Sequence, residues 1–485
     1  MTKKILSLGI ANCLFFMTLQ AQVAINGNGA KANSNSMLDV QSNSKGMLLP
    51  RMTTAQRNTM EVSGSNDVGL LVYDTDKHRL YMYDGNFWLP LSVENKSGLM
   101  INNVQTTTVI SQASYGHAVA IDGDYAVVGS ISDSVGNNHN QGSAQVLKRV
   151  NGVWLQQAEL TAADGTSNSS FGYSVDISGN YIIIGAKTAP GPVNITQGAA
   201  YVYELVGNDW IQRAKLTDNN NAVYYGCSVA INGNTAVVGA YGSKVGTNIQ
   251  QGAAYAYYRN GLNWNFQSKL ISNDGTIGDF FGTSVDVYGD YIVVGAPSVG
   301  YPNSIFNAGA AYIFSRNYGL WSQQTKIQGI QQKTGRRFGA SVSIYQDEVA
   351  IGGPYDYSDN YGVVQMYSRS GITWAPIANM GDILSPSQNM GDTYRLFGAN
   401  VSLSNGYLMV NSPYEQVNGM ISAGACFILK RRTDGSYGLA KRVIEPDGFY
   451  YSVFGFSCAL DETGFIIGTP GSSGFNGKVS LGTIE

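Results

Sequence analysis

The chain has 485 residues, more than the usual ~100 to 200 of one domain, so we expect several domains or one large repeat array. Charged residues make up only 13% of the chain, about half of the ~25% in an ordinary soluble domain, whereas 44% are apolar and 59 are Gly. The apolar content excludes a disordered chain, and a formal net charge of -3 provides no basic footprint for a nucleic-acid partner.

Residues 1–21 have the pattern of a secretory signal peptide. Lys3 and Lys4 precede an apolar run over residues 5–19, and Ala21 ends a small-residue cleavage site. A retained membrane anchor is the weaker interpretation, because the run is shorter than the ~20 residues of a membrane span. Cys13 follows Asn, a poor match to a lipoprotein cleavage box. We therefore expect export and a secreted or cell-surface protein without a transmembrane segment in the mature chain.

Residues 22–100 are expected to form a separate, small β-rich module. Residues 53–60, after Pro50, predict a short helix, and residues 69–91 alternate apolar and polar side chains around two turns, as in a β-meander. The stretch "MLDVQSNSKGMLLPRMTTAQRNTM" and the meander resemble an N-terminal module of secreted and tail-fibre-like proteins of Gram-negative bacteria. The resemblance implies a role in attachment or oligomerisation.

An aromatic-Gly pair recurs at a nearly fixed interval through the rest of the chain. The spacings between its seven copies are 56, 54, 56, 57, 59 and 57 residues. A fixed period of this length is the signature of a repeat architecture. The aromatic residues of the seven pairs are Tyr115, Phe171, Tyr225, Phe281, Phe338, Phe397 and Phe454.

Each repeat predicts four β-strands. The first two form a tight hairpin, as in "FGYSVDISGNYIIIGAK", because Gly and Asn at the turn tolerate positive φ. A third strand begins with small residues, as in "GAAYVYE", and a fourth carries Trp. The Trp positions are Trp154, Trp210, Trp264, Trp321 and Trp374, and Tyr437 takes this place in the sixth copy.

Seven four-stranded units predict an all-β fold, a seven-bladed β-propeller, because radial repetition lets each small sheet bury both faces against its neighbours. A linear solenoid is the alternative. The seventh copy ends after its third strand, which leaves an unpaired edge. Residues 104–110, "VQTTTVI", stand where a fourth strand precedes every other copy. We therefore predict that this N-terminal strand completes the last blade and closes a propeller that spans residues 104–485.

These repeats resemble the FG-GAP repeat family, whose best-known members are the seven-bladed heads of integrin α subunits. The resemblance rests on the Phe-Gly pairs and on the "GAP" that ends the second strand, complete at Gly295-Ala296-Pro297 and reduced elsewhere, as at Gly185-Ala186. It covers residues 104–485 and implies a cell-adhesion or protein-binding role at the cell surface.

Calcium is the main departure from that family. Integrin-like members bind Ca²⁺ in an acidic loop between the first and second strands, and the ion needs six to eight oxygens. Here that connection is a two- or three-residue turn, which cannot supply them. We therefore interpret Asp122, Asp124, Asp286 and Asp290 as turn and strand residues, and we expect no metal or other cofactor.

Catalytic motifs are missing from the sequence, which contains no G-x-S-x-G, H-E-x-x-H or Walker-type glycine loop. His117 follows an aromatic-Gly pair and is interpreted as a packing or solvent-facing residue rather than a catalytic one. Cys227, Cys426 and Cys458 remain after cleavage, an odd number without metal-ligand spacing. We expect Cys227 and Cys458 to act as small buried hydrophobic residues rather than to form a disulfide.

In a propeller, the long loops that join strand 2 to strand 3 of a sheet (2-3 loops) and strand 4 to strand 1 of the next sheet (4-1 loops) emerge on one face. This face is the default binding surface. Aromatic residues among short polar ones suit recognition of a protein or a glycan, although a loop Tyr can also merely pack on loop backbone. The candidate binding residues are Tyr241, Tyr301, Tyr355, Tyr357, Tyr414 and Phe475 in the 2-3 loops, with Tyr394 and Phe449 in the 4-1 loops.

The leading hypothesis is a non-catalytic, extracellular binding or adhesion protein with a protein or carbohydrate partner. A second hypothesis is a polysaccharide-acting hydrolase or lyase with acidic residues near the propeller axis, which sequence alone does not exclude. A third is a structural component of an envelope or fibre. The sequence names no ligand and no oligomeric state.

Overall fold

The computed structural model describes residues 23–25, 31, 38–42, 44, 46–60, 67–76, 79–83, 88–91, 105–108, 114–191, 196–218, 222–302, 305–355, 362–378, 380–384, 395–417, 420–445, 451–471 and 477–484. The chain divides into two compact units, Met1–Leu99 and Met100–Glu485. The predicted signal peptide lies outside the described residues, and the predicted domain limits stay predictions.

In its described residues, the first unit contains two small sheets and one helix. Its elements are β1 (Val23–Ile25), β2 (Leu38–Val40), β3 (Arg51–Met52), α1 (Thr54–Asn58), β4 (Leu71–Asp74), β5 (Arg79–Tyr83) and β6 (Trp88–Leu91). β1 pairs with β2 in parallel, and β3 to β6 form a second sheet in chain order. Thr53 caps α1 through a capping box with Gln56. The buried ion pair between Arg57 Nε and Asp74 Oδ2, at 3.0 Å, ties the helix to β4.

The second unit consists of short strands in a repeated order. These are β7 (Gln105–Thr108), β8 (Tyr115–Asp122), β9 (Tyr125–Ser130), β10 (Ser143–Val150), β11 (Val153–Leu160), β12 (Phe171–Ser178), β13 (Tyr181–Ala186), β14 (Ala199–Val206), β15 (Asp209–Leu216), β16 (Ser228–Asn232), β17 (Thr235–Ala240), β18 (Ala253–Asn260), β19 (Asn263–Leu270), β20 (Ser284–Tyr288), β21 (Tyr291–Ala296), β22 (Ala310–Asn317), β23 (Leu320–Gln328), β24 (Ser341–Tyr345), β25 (Glu348–Gly353), β26 (Val363–Ser370), β27 (Thr373–Pro376), β28 (Ile383–Leu384), β29 (Val401–Ser404), β30 (Tyr407–Ser412), β31 (Ala425–Arg431), β32 (Tyr437–Ile444), β33 (Ser457–Leu460), β34 (Gly464–Thr469) and β35 (Lys478–Thr483).

In the described part of this unit the strands form seven antiparallel sheets, six of them from consecutive strands. The fifth sheet has an interrupted fourth strand, because β27 and β28 both pair with β26. The last sheet has the order β33-β34-β35-β7, with Thr107 of β7 opposite Val479 of β35. The all-β prediction is confirmed, and the four-stranded antiparallel sheets agree with a repeat β-propeller.

Neighbouring sheets contact one another through their first strands. β8, β12, β16, β20, β24, β29 and β33 pack consecutively, and β33 also packs against β8. A repeated hydrogen bond accompanies this packing, in which a Ser hydroxyl donates to the carbonyl of the Gly in the next aromatic-Gly pair. The pairs are Ser174 with Gly226, Ser228 with Gly282, Ser284 with Gly339, Ser341 with Gly398, and Ser457 with Gly116, at 2.8 to 3.0 Å. The contact from Ser457 to Gly116 joins the last repeat to the first.

Glycine in the aromatic-Gly pair allows the close approach of one sheet to the next. Gly282 has a φ of +87°, which disfavours any residue with a Cβ. A Cβ at this position would lie 2.3 Å from the carbonyl oxygen of Ala253 in the preceding sheet. The motif is therefore a packing device between sheets.

A β-bulge in the fourth strand of several sheets produces a second contact between sheets. The ladders skip Gln157, Arg213, Gln267 and Gln324 in β11, β15, β19 and β23. Three of these bulged residues are Gln, and each accepts a hydrogen bond from the indole N–H of the next sheet, Trp210, Trp321 or Trp374, at 3.0 to 3.2 Å. Tyr437 lies opposite Arg431 in β31, the register that Trp154 and Arg149 have in the first sheet, so Tyr takes the predicted Trp position.

Candidate binding site at the ends of the first strands

The first strands of the seven sheets line two cavities, one at each end. The loop-side cavity has a volume of about 550 Å³ and is lined by the third residue of each repeat motif and by 2-3 and 4-1 loop residues. The turn-side cavity, of about 330 Å³, is lined by the last residues of the same strands. In every repeat the aromatic-Gly pair places the third residue of the motif at the loop side. These third residues are His117, Tyr173, Cys227, Thr283, Ala340, Ala399 and Phe456.

Large side chains occupy one part of the loop-side cavity. The ring of His117 packs between Tyr173, at 4.9 Å, and Phe456, at 5.2 Å between centroids. Burial, with a smaller contribution from the positive charge of Lys187, lowers the pKa of His117 to about 4. His117 is therefore neutral at physiological pH. This placement agrees with the predicted packing position.

Lys187, at the start of a 2-3 loop, lies among three tyrosines. Its Nζ donates a hydrogen bond to Tyr173 Oη at 3.0 Å and lies 4.3, 5.1 and 5.3 Å from the ring centroids of Tyr173, Tyr224 and Tyr241. Burial alone would lower the pKa of Lys187, but its interactions with Tyr173 and Tyr241 outweigh burial and raise that pKa above its ordinary value. The half-buried amine is therefore a stable positive charge beside the cavity.

The two cavities differ in charge. The loop-side cavity has no Asp or Glu among the described residues that line it. The turn-side cavity is lined by four aspartates, Asp122, Asp176, Asp286 and Asp461. Among the described lining residues, carboxylates are therefore found at the turn-side cavity and not at the loop-side cavity.

Two partly buried aspartates of the turn-side cavity, Asp176 and Asp286, accept backbone N–H groups. Asp176 accepts from Ile177 in its own strand and from Ile231 in the next sheet, at 2.9 and 2.7 Å. Asp286 does the same with Val287 and Ile344, both at 2.8 Å. Burial raises the pKa of Asp286 to about 6, and burial together with the charge of Asp286 raises that of Asp176 well above its ordinary value. One oxygen of each carboxyl group thus helps to hold neighbouring sheets together, while the other accepts the next N–H of its own strand.

The other aspartates considered as calcium ligands also have partners within the fold. Asp122 accepts from the N–H of Gly179 in the next hairpin turn at 2.6 Å. Asp124 pairs with Arg149 at 2.9 Å and Asp290 with Arg316 at 2.7 Å. Among the described residues, no group of three or more His, Cys, Asp or Glu side chains has an arrangement that could hold a metal ion.

The structure places four of the eight predicted binding residues. Tyr355 and Tyr414 line the loop-side cavity, and Tyr241 packs behind it against Tyr224 and Lys187. Tyr301 instead packs on loop backbone, because its hydroxyl donates to the carbonyl of Gly309 at 2.8 Å. The other four, Tyr357, Tyr394, Phe449 and Phe475, lie outside the described residues.

Sequence reasoning missed Tyr173, Lys187 and Phe456 as residues of this site. One signal was available in the third position of the repeat motif, counted from the aromatic residue as the first. This position varies from Ala to Tyr between the repeats, while the positions around it keep similar residues. A variable position inside a regular motif is typical of an exposed or functional surface rather than of packing. Lys187 had no such signal, because its neighbours Tyr173, Tyr224 and Tyr241 are distant from it in sequence and come from two repeats.

The three remaining cysteines are buried and unpaired. Cys227 contacts the carbonyl of Gly282, and Cys458 contacts Asn400 Oδ1, at 3.3 and 3.2 Å between the sulfur and oxygen atoms. Their buried positions within the sheets agree with the predicted packing role.

Comparison with known families gives two matches. A phage tail like trimerisation region matches residues 25–109, and the FG-GAP repeat matches residues 110–147, 154–203, 210–257 and 264–314. Both predicted resemblances are confirmed. No curated protein matches the chain. In the part of the chain that the structure describes, no helix is both long and apolar enough to cross a membrane.

Proposed function

We propose that this chain is a non-catalytic, extracellular binding or adhesion protein. The proposal is supported by its FG-GAP repeats, which follow a phage tail like trimerisation region. The chain recognises a protein or carbohydrate partner through the loop-side cavity and the loops around it. The observation that carries this proposal is the charge and shape of that cavity, which combines aromatic rings, Ser and Thr hydroxyls and a nearby lysine with no lining carboxylate among the described residues. Concave sites with aromatic walls and few polar groups are typical binding sites.

The proposed scaffold is a seven-bladed propeller closed by β7. Two observations support closure, the pairing of β7 with β35 and the hydrogen bond from Ser457 to Gly116 that repeats the bond between the other sheets. In this arrangement the chain ends share one blade, so that no sheet edge of the ring is left unpaired.

An enzymatic role is the weaker proposal. A glycosidase needs two carboxyl groups free to act as acid and base or nucleophile. Asp176 and Asp286 are partly buried, and each carboxyl group accepts one backbone N–H from its own strand and one from the next sheet. Their substitution is therefore expected to change stability rather than turnover on a polysaccharide panel.

Binding is proposed to be independent of calcium. The 1-2 connections are two-residue turns, and Asp122, Asp124 and Asp290 are engaged by backbone N–H groups or arginines. We further propose that residues 1–21 direct export and that the N-terminal region assembles three chains. Three loop faces would then be displayed together outside the cell.

The test is an unbiased screen of the mature chain against matrix proteins, cell surfaces and glycans, with and without a chelator. The expected partner binds equally in both conditions, and Tyr414→Ala weakens binding by roughly tenfold because it removes an exposed ring of the cavity. Tyr318→Ala, which removes an exposed ring at a 3-4 turn, is the matched control and leaves affinity unchanged. A chain that bound no partner, or lost binding equally in both variants, would contradict the proposal.

A further inference from the structure

We propose that the loop-side cavity binds a carboxylate-bearing sugar, a uronic acid unit of an acidic glycan, and that Lys187 pairs with the carboxylate. The inference rests on the proposed function and specifies the ligand class of the same site. Its starting point is Lys187, a cation with no carboxylate partner among the described residues, which binds Tyr173 in the wall of the loop-side cavity.

Lys187 differs in its ion pairing from two other lysines that lie over tyrosine rings. Lys215 forms an ion pair with Asp164 at 2.5 Å, and Lys326 forms one with Asp274 at 2.6 Å. Among the described residues no carboxylate lies within 4 Å of Lys187 Nζ, whose hydrogen bond goes to the neutral hydroxyl of Tyr173. Partial burial of an ammonium group costs free energy, which an anionic ligand would offset.

The rest of the loop-side cavity favours the same sign of ligand. The guanidinium of Arg337 lies 4.7 Å from the ring centroid of Tyr355, which lines the cavity. Aspartates are confined to the turn-side cavity among the described lining residues. His117 is neutral at physiological pH, so it adds no charge to those of Lys187 and Arg337. These two cations favour an anionic ligand in the loop-side cavity.

The lining of the cavity favours a sugar over a bare anion. Tyr173, Phe456 and Tyr414 line the cavity with rings on which the C–H face of a sugar packs. The hydroxyls of Ser174, Ser228 and Thr283 donate to backbone carbonyls, and their oxygens remain available to accept hydrogen bonds from sugar hydroxyls. The volume of about 550 Å³ lies within the range of ~300 to 1,000 Å³ for small-molecule sites. A phosphate would be expected at an Arg fork or a group of backbone N–H donors, whereas Lys187 is a single point charge.

The experiment measures affinity by calorimetry for oligogalacturonate and oligomannuronate, for the methyl ester of the same oligogalacturonate, and for hexaglutamate. The variants are Lys187→Met, which keeps the apolar stem, and Lys187→Arg, which keeps the charge. Lys269→Met is the matched control, because Lys269 lies 5.4 Å from the ring centroid of Tyr255 on a fourth strand, in a similar cation–ring contact. Thermal melts establish that all variants are folded.

At least one uronate is expected to bind the unmodified chain, with the ester and the Lys187→Met variant each at least tenfold weaker and Lys187→Arg and Lys269→Met near the original affinity. Equal binding of acid and ester, or equal binding by Lys187→Met, would overturn the inference. Tighter binding of hexaglutamate than of either uronate would assign the site to an acidic protein segment instead. Failure of both uronates, while the broad screen finds a partner sensitive to Tyr414→Ala, would refute the ligand class and leave the proposed function standing.

Discussion

At the scale of single residues, the sixth position of the repeat motif, counted from the aromatic residue as the first, shows how side chains join neighbouring sheets. Side chains at this position accept backbone N–H groups of the next sheet. Ser343 and Ser402 each accept one N–H from the next sheet, from Leu403 and Leu460, at 3.1 and 3.0 Å. The preceding repeat has Ala230 at this position, which cannot accept the N–H of Val287 in the next sheet. Asp286 accepts that N–H itself with one oxygen, and its other oxygen accepts the N–H of Ile344 in the following sheet. The same holds for Asp176 after Ala120. Two aspartates thus compensate for two alanines.

The buried carboxyl group of Asp286 predicts a stability that falls as pH rises. Its pKa is about 6 in the folded chain against 3.8 for the ordinary group, so the folded state binds the proton more tightly than the unfolded state. The associated stability is present below pH 4 and is lost as pH rises to above 6, by roughly 3 kcal/mol from the pKa difference. Asp286→Asn should therefore flatten the decline of melting temperature between pH 4 and 7.

Asp274→Asn is the matched control for this measurement. Burial alone would raise the pKa of Asp274, but its ion pair with Lys326 and the hydroxyl of Tyr312 outweigh burial and lower that pKa. Its stabilising contribution is therefore lost as pH falls, so this substitution should change the pH dependence in the opposite sense. Parallel melting profiles for Asp286→Asn and the unmodified chain would show that this carboxyl group does not titrate as described.

At the scale of elements, β7 shows how a short strand distant in sequence completes a sheet. Gln105 to Thr108 lie opposite Leu481 to Lys478 in antiparallel register, and nearly 370 residues of chain separate the two strands. The pairing covers the edge of β35, which would otherwise expose unpaired backbone groups. The strand also falls within the matched trimerisation region, which ends at residue 109.

Disruption of β7 should destabilise the repeat unit. Thr106→Pro with Thr107→Pro removes two backbone N–H groups, one of which points toward β35 because hydrogen-bonded positions alternate along an antiparallel strand. We expect the free energy of unfolding to fall by about 1 kcal/mol or more, because Pro cannot donate to a ladder and each lost bond costs about 1 kcal/mol. Thr106→Val with Thr107→Val keeps both N–H groups and the strand propensity, and serves as the control. Equal denaturant midpoints for the two double variants would contradict closure by β7.

At the scale of the whole molecule, the N-terminal unit exposes apolar side chains that a monomer leaves in water. Leu38 and Val40 on β2 are 53% and 43% exposed, and Val23 and Ile25 on β1 are similarly open. Residues 25–109 match a trimerisation region, so other copies of the chain are the natural cover for this surface. Three loop-side cavities on one assembly would raise the affinity for a polymeric ligand without any new contact.

The mature chain should have about three times the mass of one copy in solution, as measured by light scattering. Leu38→Glu with Val40→Glu places charges on the exposed apolar surface of β2 and is expected to give monomers. Ile372→Glu, at an exposed 3-4 turn in the repeat unit, is the control and should leave the trimer intact. A monomeric unmodified chain, or a trimer insensitive to the β2 substitutions, would exclude assembly through this surface.

The repeat period, the four strands of each sheet, the tight turns and the Trp positions could be read from sequence because they depend on local patterns. Alternation of apolar residues specifies a strand, and a Gly-Asn or Gly-Asp turn specifies a hairpin, whichever sheet lies next to it. Residues 104–110 were also predicted as the partner of the last sheet, because an incomplete repeat at one end and a spare strand at the other explain each other.

Only the tertiary structure decided which side chains meet at the ends of the first strands. Lys187 meets Tyr173, Tyr224 and Tyr241 from distant positions in two repeats, and His117 meets Phe456 across more than 330 residues of chain. The distances between them depend on how neighbouring sheets pack against one another, and no local pattern encodes that packing. Asp176 and Asp286 likewise looked like isolated acids in the sequence, and the approach of the next sheet gave each of them a backbone partner.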